Sequence, residues 1–383
     1  VSIRQYNLGS IVKPGFNPLA APTPSYTYYM YSWGSNASGQ LGLGNTAYRS
    51  SPVQVGALST WTQVSIILNS SLAIGDSNKL YAWGDGSSGI LGLGNTSAYS
   101  SPKQVGALTN WSQISVGGGN GWCTAIKTDG TLWSWGNSSM GELGLGNTTT
   151  YSSPKQVGAL ATWSKVANGK YHSIAVKTDG TLWSWGRNYE GQLGLGTSGP
   201  GTDKSSPNQV GALTTWLKIS CGSYHTLAVK TDGTLWSWGS NSDGRLGDGT
   251  TVDRSSPVQV GALTTWSIIG PGGTFSFATT TAGALYSWGA NSQGQLGLGN
   301  ATNYSSPKQI GALTTWAVVN GCILSCCAIK TDGTFWSWGR NVEGQLGLGN
   351  TTYYSSPKQV GSLTSWGNLA TMSQARGVIA FQV

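Results

Sequence analysis

A near copy of Asp179-Gly-Thr-Leu-Trp-Ser-Trp-Gly186 appears seven times in the chain. The Trp-Gly that closes it falls at Trp33, Trp83, Trp135, Trp185, Trp238, Trp288 and Trp338, in steps of 50, 52, 50, 53, 50 and 50 residues. A fixed period of this length means one supersecondary unit copied many times. It overrides the two-domain expectation that 383 residues alone would give.

The unit is clearest from Trp163. Trp163-Ser-Lys-Val-Ala leads through Asn168-Gly-Lys-Tyr-His172 into Ser173-Ile-Ala-Val-Lys177, and Thr178-Asp-Gly180 leads into Thr181-Leu-Trp-Ser-Trp185. The loop Gly191-Gln-Leu-Gly-Leu-Gly196 then precedes Ser205-Ser-Pro-Asn-Gln-Val210. Short apolar runs rich in Val, Ile, Trp and Thr, bounded by Gly, Asn or Pro, read as strands. Asp-Gly between two runs predicts a two-residue hairpin with both residues at positive φ. It recurs at Asp129-Gly130, Asp179-Gly180, Asp232-Gly233 and Asp332-Gly333, with Ser77-Asn78 and Ala282-Gly283 as substitutes. These aspartates are therefore turn residues rather than catalytic acids. The last strand carries Pro and Lys, which suit an exposed sheet edge.

Four short antiparallel strands per unit and no helical period predict an all-β fold, a seven-bladed β-propeller around a channel. Blades are expected over about 61–105, 111–157, 163–210, 216–260, 266–310 and 316–360. The chain enters at a third-strand motif, Thr27-Tyr-Tyr-Met-Tyr-Ser-Trp-Gly34, and leaves after first- and second-strand matches at Gly367-Asn-Leu-Ala and Gly377-Val-Ile-Ala-Phe. Residues 366–383 and 27–55 are expected to combine into a seventh blade that closes the ring. Length changes appear in two places, around Gly117-Gly-Gly-Asn and Thr197-Ser-Gly-Pro-Gly-Thr-Asp-Lys204. Residues 1–25 lie outside the repeat and hold four prolines, which read as an extended arm. Ile11, Val12 and Phe16 are its candidate anchors on the propeller, another subunit or a partner.

Charge is sparse, 9% of residues, yet the net charge is +8. The lysines recur by slot: Lys103, Lys155, Lys308 and Lys358 share one, and Lys127, Lys177, Lys230 and Lys330 another. Such placement predicts rings of surface charge that aid solubility and guard edges, whereas nucleic acid needs a patch on one face. No run is long and apolar enough for a transmembrane helix, and Val1-Ser-Ile-Arg-Gln-Tyr6 has no signal-peptide core. Five cysteines, Cys123, Cys221, Cys322, Cys326 and Cys327, fit no zinc spacing and read as small buried residues, with a Cys322–Cys326 bridge as the minor alternative.

Candidate chemistry is thin. His172 and His225 occupy one slot in adjacent repeats, where other repeats put Ser70, Trp122, Phe275, Ser325 and Ala375. A slot that accepts Trp, Phe and Ala is a packing slot. Asp243, Asp248 and Asp253 with Asn241 form the densest acidic stretch, but EF-hand spacing is absent. The glycine-rich loops lack the helix and lysine of a nucleotide site. Neither an enzyme nor a cofactor is expected.

Gly-x-x-His before an apolar run, then Asp-Gly-x-x-Trp-Ser-Trp-Gly and Gly-Gln-Leu-Gly, resemble the repeat of the regulator of chromosome condensation family, over residues 27–383. The resemblance implies a seven-bladed propeller with a composite closing blade. That family's founder is a guanine nucleotide exchange factor on chromatin with an inserted wedge and a basic tail. Neither is present here, where the arm carries only Arg4 and Lys13. The Ser/Thr/Asn-rich wording of the repeats looks more like propellers of tailed bacteriophages and aquatic bacteria. The leading expectation is a non-catalytic virion component, its arm on other virion proteins and its loops on a host surface. The alternatives are a lectin-like propeller binding glycan through Tyr48, Tyr99, Tyr151, Tyr304 and Tyr354 in the loop before Ser-Ser-Pro, and an intracellular scaffold or exchange factor.

Overall fold

A computed structural model describes residues 28–58, 60–119, 121–370, 375 and 377–382. The candidate arm anchors Ile11, Val12 and Phe16 lie outside the described residues. Seven four-stranded antiparallel sheets form, and six of them use strands consecutive in sequence. In one, Trp163–Asn168, His172–Lys177, Leu182–Gly186 and Lys204–Gln209 lie side by side in that order. The first strands of neighbouring blades meet at the hub, so the fourth strand is the rim.

The seventh sheet is composite. Its order is Arg49–Gln54, Tyr29–Gly34, Gly377–Gln382 and Trp366–Leu369, with Tyr29 opposite Gln382 and Gly34 opposite Gly377. The two ends thus close the ring as expected. One register differs from the sequence reading. Gly377, not Ala375, stands opposite the Trp-Gly glycine, in the slot that His172 and His225 fill elsewhere. The repeat therefore changes length in a third place, before Gly377.

Blades are stitched together by a repeated bond. The second Trp of each Trp-x-Trp-Gly or its equivalent is fully buried, and its indole N–H donates to the loop carbonyl of the preceding blade. Trp83 Nε1 reaches Gln40 O at 2.8 Å, Trp185 reaches Glu142 O at 2.8 Å and Trp238 reaches Gln192 O at 2.9 Å. Trp33 completes the circle at Gln345 O, 3.1 Å away. The Gly-rich loop must press against that indole. A Cβ on Gly194, at φ +72°, would sit 2.8 Å from Trp238 Nε1, which explains the glycine. A buried Asn fixes the same loop: Asn188 Oδ1 accepts from Leu193 N at 3.1 Å.

The Asp-Gly hairpins differ from the expected two-residue type. Gly130 has φ +79°, but Asp129 is not at positive φ. Gly130 N bonds Lys127 O at 2.9 Å and Lys127 N bonds Thr131 O at 3.0 Å, the pattern of a three-residue loop with a glycine bulge. The aspartate then accepts from Thr131 N and Oγ1, while Trp133 Nε1 donates to Thr131 Oγ1. That chain gives Asp, Gly, Thr and Trp one local purpose each.

The lysine slots also depart from expectation. Lys127, Lys177, Lys230 and Lys330 are not a solvated ring. Lys230 is 7% exposed, and its Nζ lies 3.6 Å above the Trp236 ring and 5.1 Å from Trp216. Burial pushes the ammonium below its ordinary value. Lys230→Met keeps the apolar stem and removes the charge. The expected loss is about 0.5–2 kcal/mol, read by urea unfolding, and an unchanged midpoint would show the cation contributes nothing.

Candidate functional site

Many buried polar groups of the repeat bond within the fold, while the Nδ1 of His172 and His225 and the indole N–H of each first-strand tryptophan have no hydrogen-bond partner. His172 and His225 are fully buried; His172 Nε2 meets Thr226 Oγ1 at 3.0 Å and His225 Nε2 meets Ser276 Oγ at 2.9 Å, each on the next blade. Trp122, in the same slot, reaches Ser173 Oγ at 3.1 Å. The packing reading of this slot is extended to an N–H donor that ties one blade to the next. Burial lowers His172 to about 3 and His225 well below its ordinary 6.5. The unfolded chain takes up these protons first, so stability falls as pH drops below about 6.5, by about 1.4 kcal/mol per pH unit for each histidine. His225→Gln should flatten this acid limb of a stability–pH curve; an unaltered slope contradicts it.

The acidic stretch is internally paired. Asp248 meets Arg254 at 2.8 Å, Asp253 accepts from Asn241 N at 2.6 Å, and Asp243 pairs with Arg245. Among the described residues no three His, Cys, Asp or Glu side chains converge as a metal site would require. All five cysteines are free and buried, so the Cys322–Cys326 bridge does not form.

The tyrosines before Ser-Ser-Pro are on the rim rather than in loops. Tyr99, Tyr151, Tyr304 and Tyr354 begin the outer strands, half-buried, with Lys103, Lys155, Lys308 and Lys358 over their rings at 5.7, 5.5, 5.6 and 5.4 Å. Tyr48 is one residue out of step with them; it precedes its strand, which starts at Arg49, and is 52% exposed.

A different cluster stands out on the face formed by the first-to-second and third-to-fourth loops. Tyr171 and Tyr224 fill one slot in adjacent blades, where four others carry Asn69, Gly121, Thr274 and Leu324. Their ring centroids are 5.9 Å apart at 36°. The Arg187 guanidinium lies 5.5 Å from Tyr171, 5.3 Å from Tyr224 and 5.4 Å from the exposed Tyr189. Glu190 holds it from the side at 2.8 Å. Lys170 Nζ donates to the Tyr224 hydroxyl at 3.0 Å, a bond that raises the ammonium above its ordinary value.

Two of the three length changes in the repeat abut this cluster. Gly119, in the first, has φ +63°, and a Cβ there would lie 2.4 Å from the Tyr171 ring. The tyrosine therefore rests directly on the extra glycine backbone of the preceding blade. In the second, Gly199 N donates to Tyr189 O at 3.0 Å and Asp203 Oδ1 accepts from Asn188 N at 2.8 Å, folding the longer loop back beside Tyr189. The result is a rigid aromatic platform bearing two cations, suited to oxyanions next to apolar surface.

A family model described as the RCC1-like domain matches residues 29–270 and 120–378. The chain belongs to the RCC1-like domain family. Similar solved structures of RCC1-like fold include human WBSCR16, with a TM-score of 0.82 and 20% identity over 93% of this chain and 98% of that one. Prp20p of Saccharomyces cerevisiae, whose structure is described with its binding to Gsp1p and histones, gives 0.79 and 19% over 94% and 92%. At these identities the likeness shows the fold. The Arabidopsis thaliana protein RUG3, an RCC1 domain-containing mitochondrial protein, is 42% identical over 53 residues, which are 14% of this chain and 12% of RUG3. No helix among the described residues of this RCC1-like chain is long and apolar enough to cross a membrane.

Proposed function

We propose that this RCC1-like chain is a non-catalytic binding propeller, a scaffold that engages an acidic segment of a protein partner on the platform of Lys170, Tyr171, Arg187, Tyr189 and Tyr224. One observation carries the reading: two of the three length changes in the repeat, and the tyrosines at 171, 189 and 224, gather at one place on one face. Everything that recurs serves the fold, so what departs is free for recognition. Stacked tyrosines supply apolar area at low entropic cost, and the guanidinium offers directed donors to a carboxylate. Protein partners also appear in the descriptions of relatives: Prp20p with Gsp1p and histones, and yeast RCC1 with Kap60. None of the relatives named here is a virion protein, and the virion reading gives way to the scaffold.

A labelled peptide alternating Glu and Leu, compared with its Lys-for-Glu counterpart, tests this by fluorescence anisotropy. The acidic peptide should bind and the basic one should not. Arg187→Ala combined with Tyr224→Ala should weaken binding by about tenfold or more, since each platform contact is worth about 1 kcal/mol. Equal affinity for both peptides, or a variant that binds like the parent, would sink the proposal.

A further inference from the structure

The hub carries a separate feature. One slot in the first strands holds Gln63, Gln113, Lys165, Lys218, Ile268, Val318 and Asn368, each paired in the same register with its second strand. Gln63 shows what an amide in the slot can do. Its Nε2 donates to Ile114 O and its Oε1 accepts from Ile114 N, both at 3.0 Å, so it satisfies the inward edge of the neighbouring first strand. Gln113 and Lys218 instead donate two residues earlier on the neighbouring first strand, Gln113 Nε2 to Ser164 O and Lys218 Nζ to Ser267 O at 2.7 Å. A lysine has no acceptor, however. At Lys165 and Lys218 the slot cannot return a bond to the next strand's inward amide. Those amides are Ile219 and Ile269, which pair with Ala228 and Ala278 as Ile114 pairs with Ala125.

Two like charges thus stand in adjacent blades of the hub where the other five blades place neutral side chains. Burial, and then the charge of Lys165, push the Lys218 ammonium below its ordinary value. The ion pairs among the described residues engage neither lysine. An anion supplies the missing parts: negative charge for both ammonium groups and an acceptor for the inward amide.

We propose that Lys165 and Lys218 form an oxyanion-binding site on the wall of the central channel, holding a phosphate-like or carboxylate group between the two ammonium groups and the Ile219 amide. The site lies near the Trp163 end of the strand, away from Lys170, and stands apart from the tyrosine platform. Its ligand is either a free phosphate or an acidic side chain of a partner, and both present the same oxygens.

Thermal melting of the full chain by Trp fluorescence tests this with two probes, inorganic phosphate and a hexaglutamate peptide, each against sodium chloride at equal ionic strength, in an Arg187→Ala/Tyr224→Ala background that removes the tyrosine platform as a competing acidic-peptide site. At least one probe should raise Tm beyond the chloride control. The rise should vanish when Lys165→Gln/Lys218→Gln is added to that background and survive when Lys165→Arg/Lys218→Arg is added. Phosphate acting alone identifies a free anion; hexaglutamate acting identifies a partner's carboxylate. Without anion the Gln pair, relieved of like-charge repulsion, should melt no lower than the parent, and either single Gln variant gives an independent reading of the loss. No rise with either probe, or the same rise in the Gln variants, overturns the site.

Discussion

Removing residues 366–383 is expected to abolish cooperative folding. The deleted strands carry Trp366, Val378, Ile379 and Phe381, all buried in the composite blade. At roughly 1.5–3 kcal/mol per large apolar side chain, these four contribute roughly 6–12 kcal/mol before entropy is counted. That matches the whole net stability of an ordinary domain, about 5–15 kcal/mol. The deletion also strips Tyr29–Gly34 of its central partner and opens a ring otherwise closed by Trp33 Nε1 on Gln345 O. Near-ultraviolet circular dichroism and a urea titration should show loss of the sharp transition. A truncated chain that unfolds like the parent would mean that ring closure is not what holds the sheets together.

Glu142→Gln is expected to stabilise the protein strongly, and only above acidic pH. Position 142 is the slot where Gln40, Gln192, Gln295 and Gln345 accept a backbone N–H through Oε1, as Gln40 does from Ser38 N at 2.9 Å. Glu142 accepts likewise from Met140 N at 2.7 Å, but its other oxygen is buried without a hydrogen-bond partner. Burial raises the carboxyl from 4.5 to about 7. The folded chain therefore prefers the protonated acid, which resembles the amide of the other blades. Stability from this group is complete below about pH 4.5 and is lost as pH rises through about 7, by up to about 3 kcal/mol. Glutamine removes that loss. Urea midpoints should coincide for parent and variant near about pH 4.5 and separate by up to about 3 kcal/mol above about pH 7. The histidine effect has the opposite sign and cancels in the comparison. Equal stability at both pH values would mean that Glu142 is charged and solvated in the folded chain.

Much of the architecture was legible because the repeat is its own alignment. Seven Trp-Gly pairs give the number of blades, and the mid-repeat entry at Thr27 gives the composite closure. Two departures share a cause: counting residues assigns a slot that the sheet assigns by pairing. Counting puts Ala375 in the slot that Gly377 fills, and puts Tyr48 with four tyrosines from which it stands one residue out of step. The second lysine ring departs for another reason: its spacing is right, but spacing does not reveal that two tryptophans cover each ammonium. The Asp-Gly turn departs for a local reason: the aspartate side chain accepts from Thr131, and the loop takes a third residue.

The platform stayed hidden for a physical reason. Lys170, Tyr171, Arg187 and Tyr189 come from two loops of one repeat, and Tyr224 joins them from the next only because adjacent blades are neighbours in space. Its signal is nevertheless present: Tyr171 and Tyr224 in one slot of consecutive repeats, Tyr189 where Ser242 and Ser292 stand elsewhere, and the two length changes on either side, while Arg187 shares its slot with Arg340.

The central claim is that recognition belongs to what departs from the repeat, in one sector of one face. Hydrogen–deuterium exchange with and without the bound acidic peptide tests it most directly. Protection is expected in the loops at 168–172, 187–191, 197–203 and 222–225. Protection spread evenly over all seven blades, or confined to the rim strands that begin at Tyr99, Tyr151, Tyr304 and Tyr354, would contradict it.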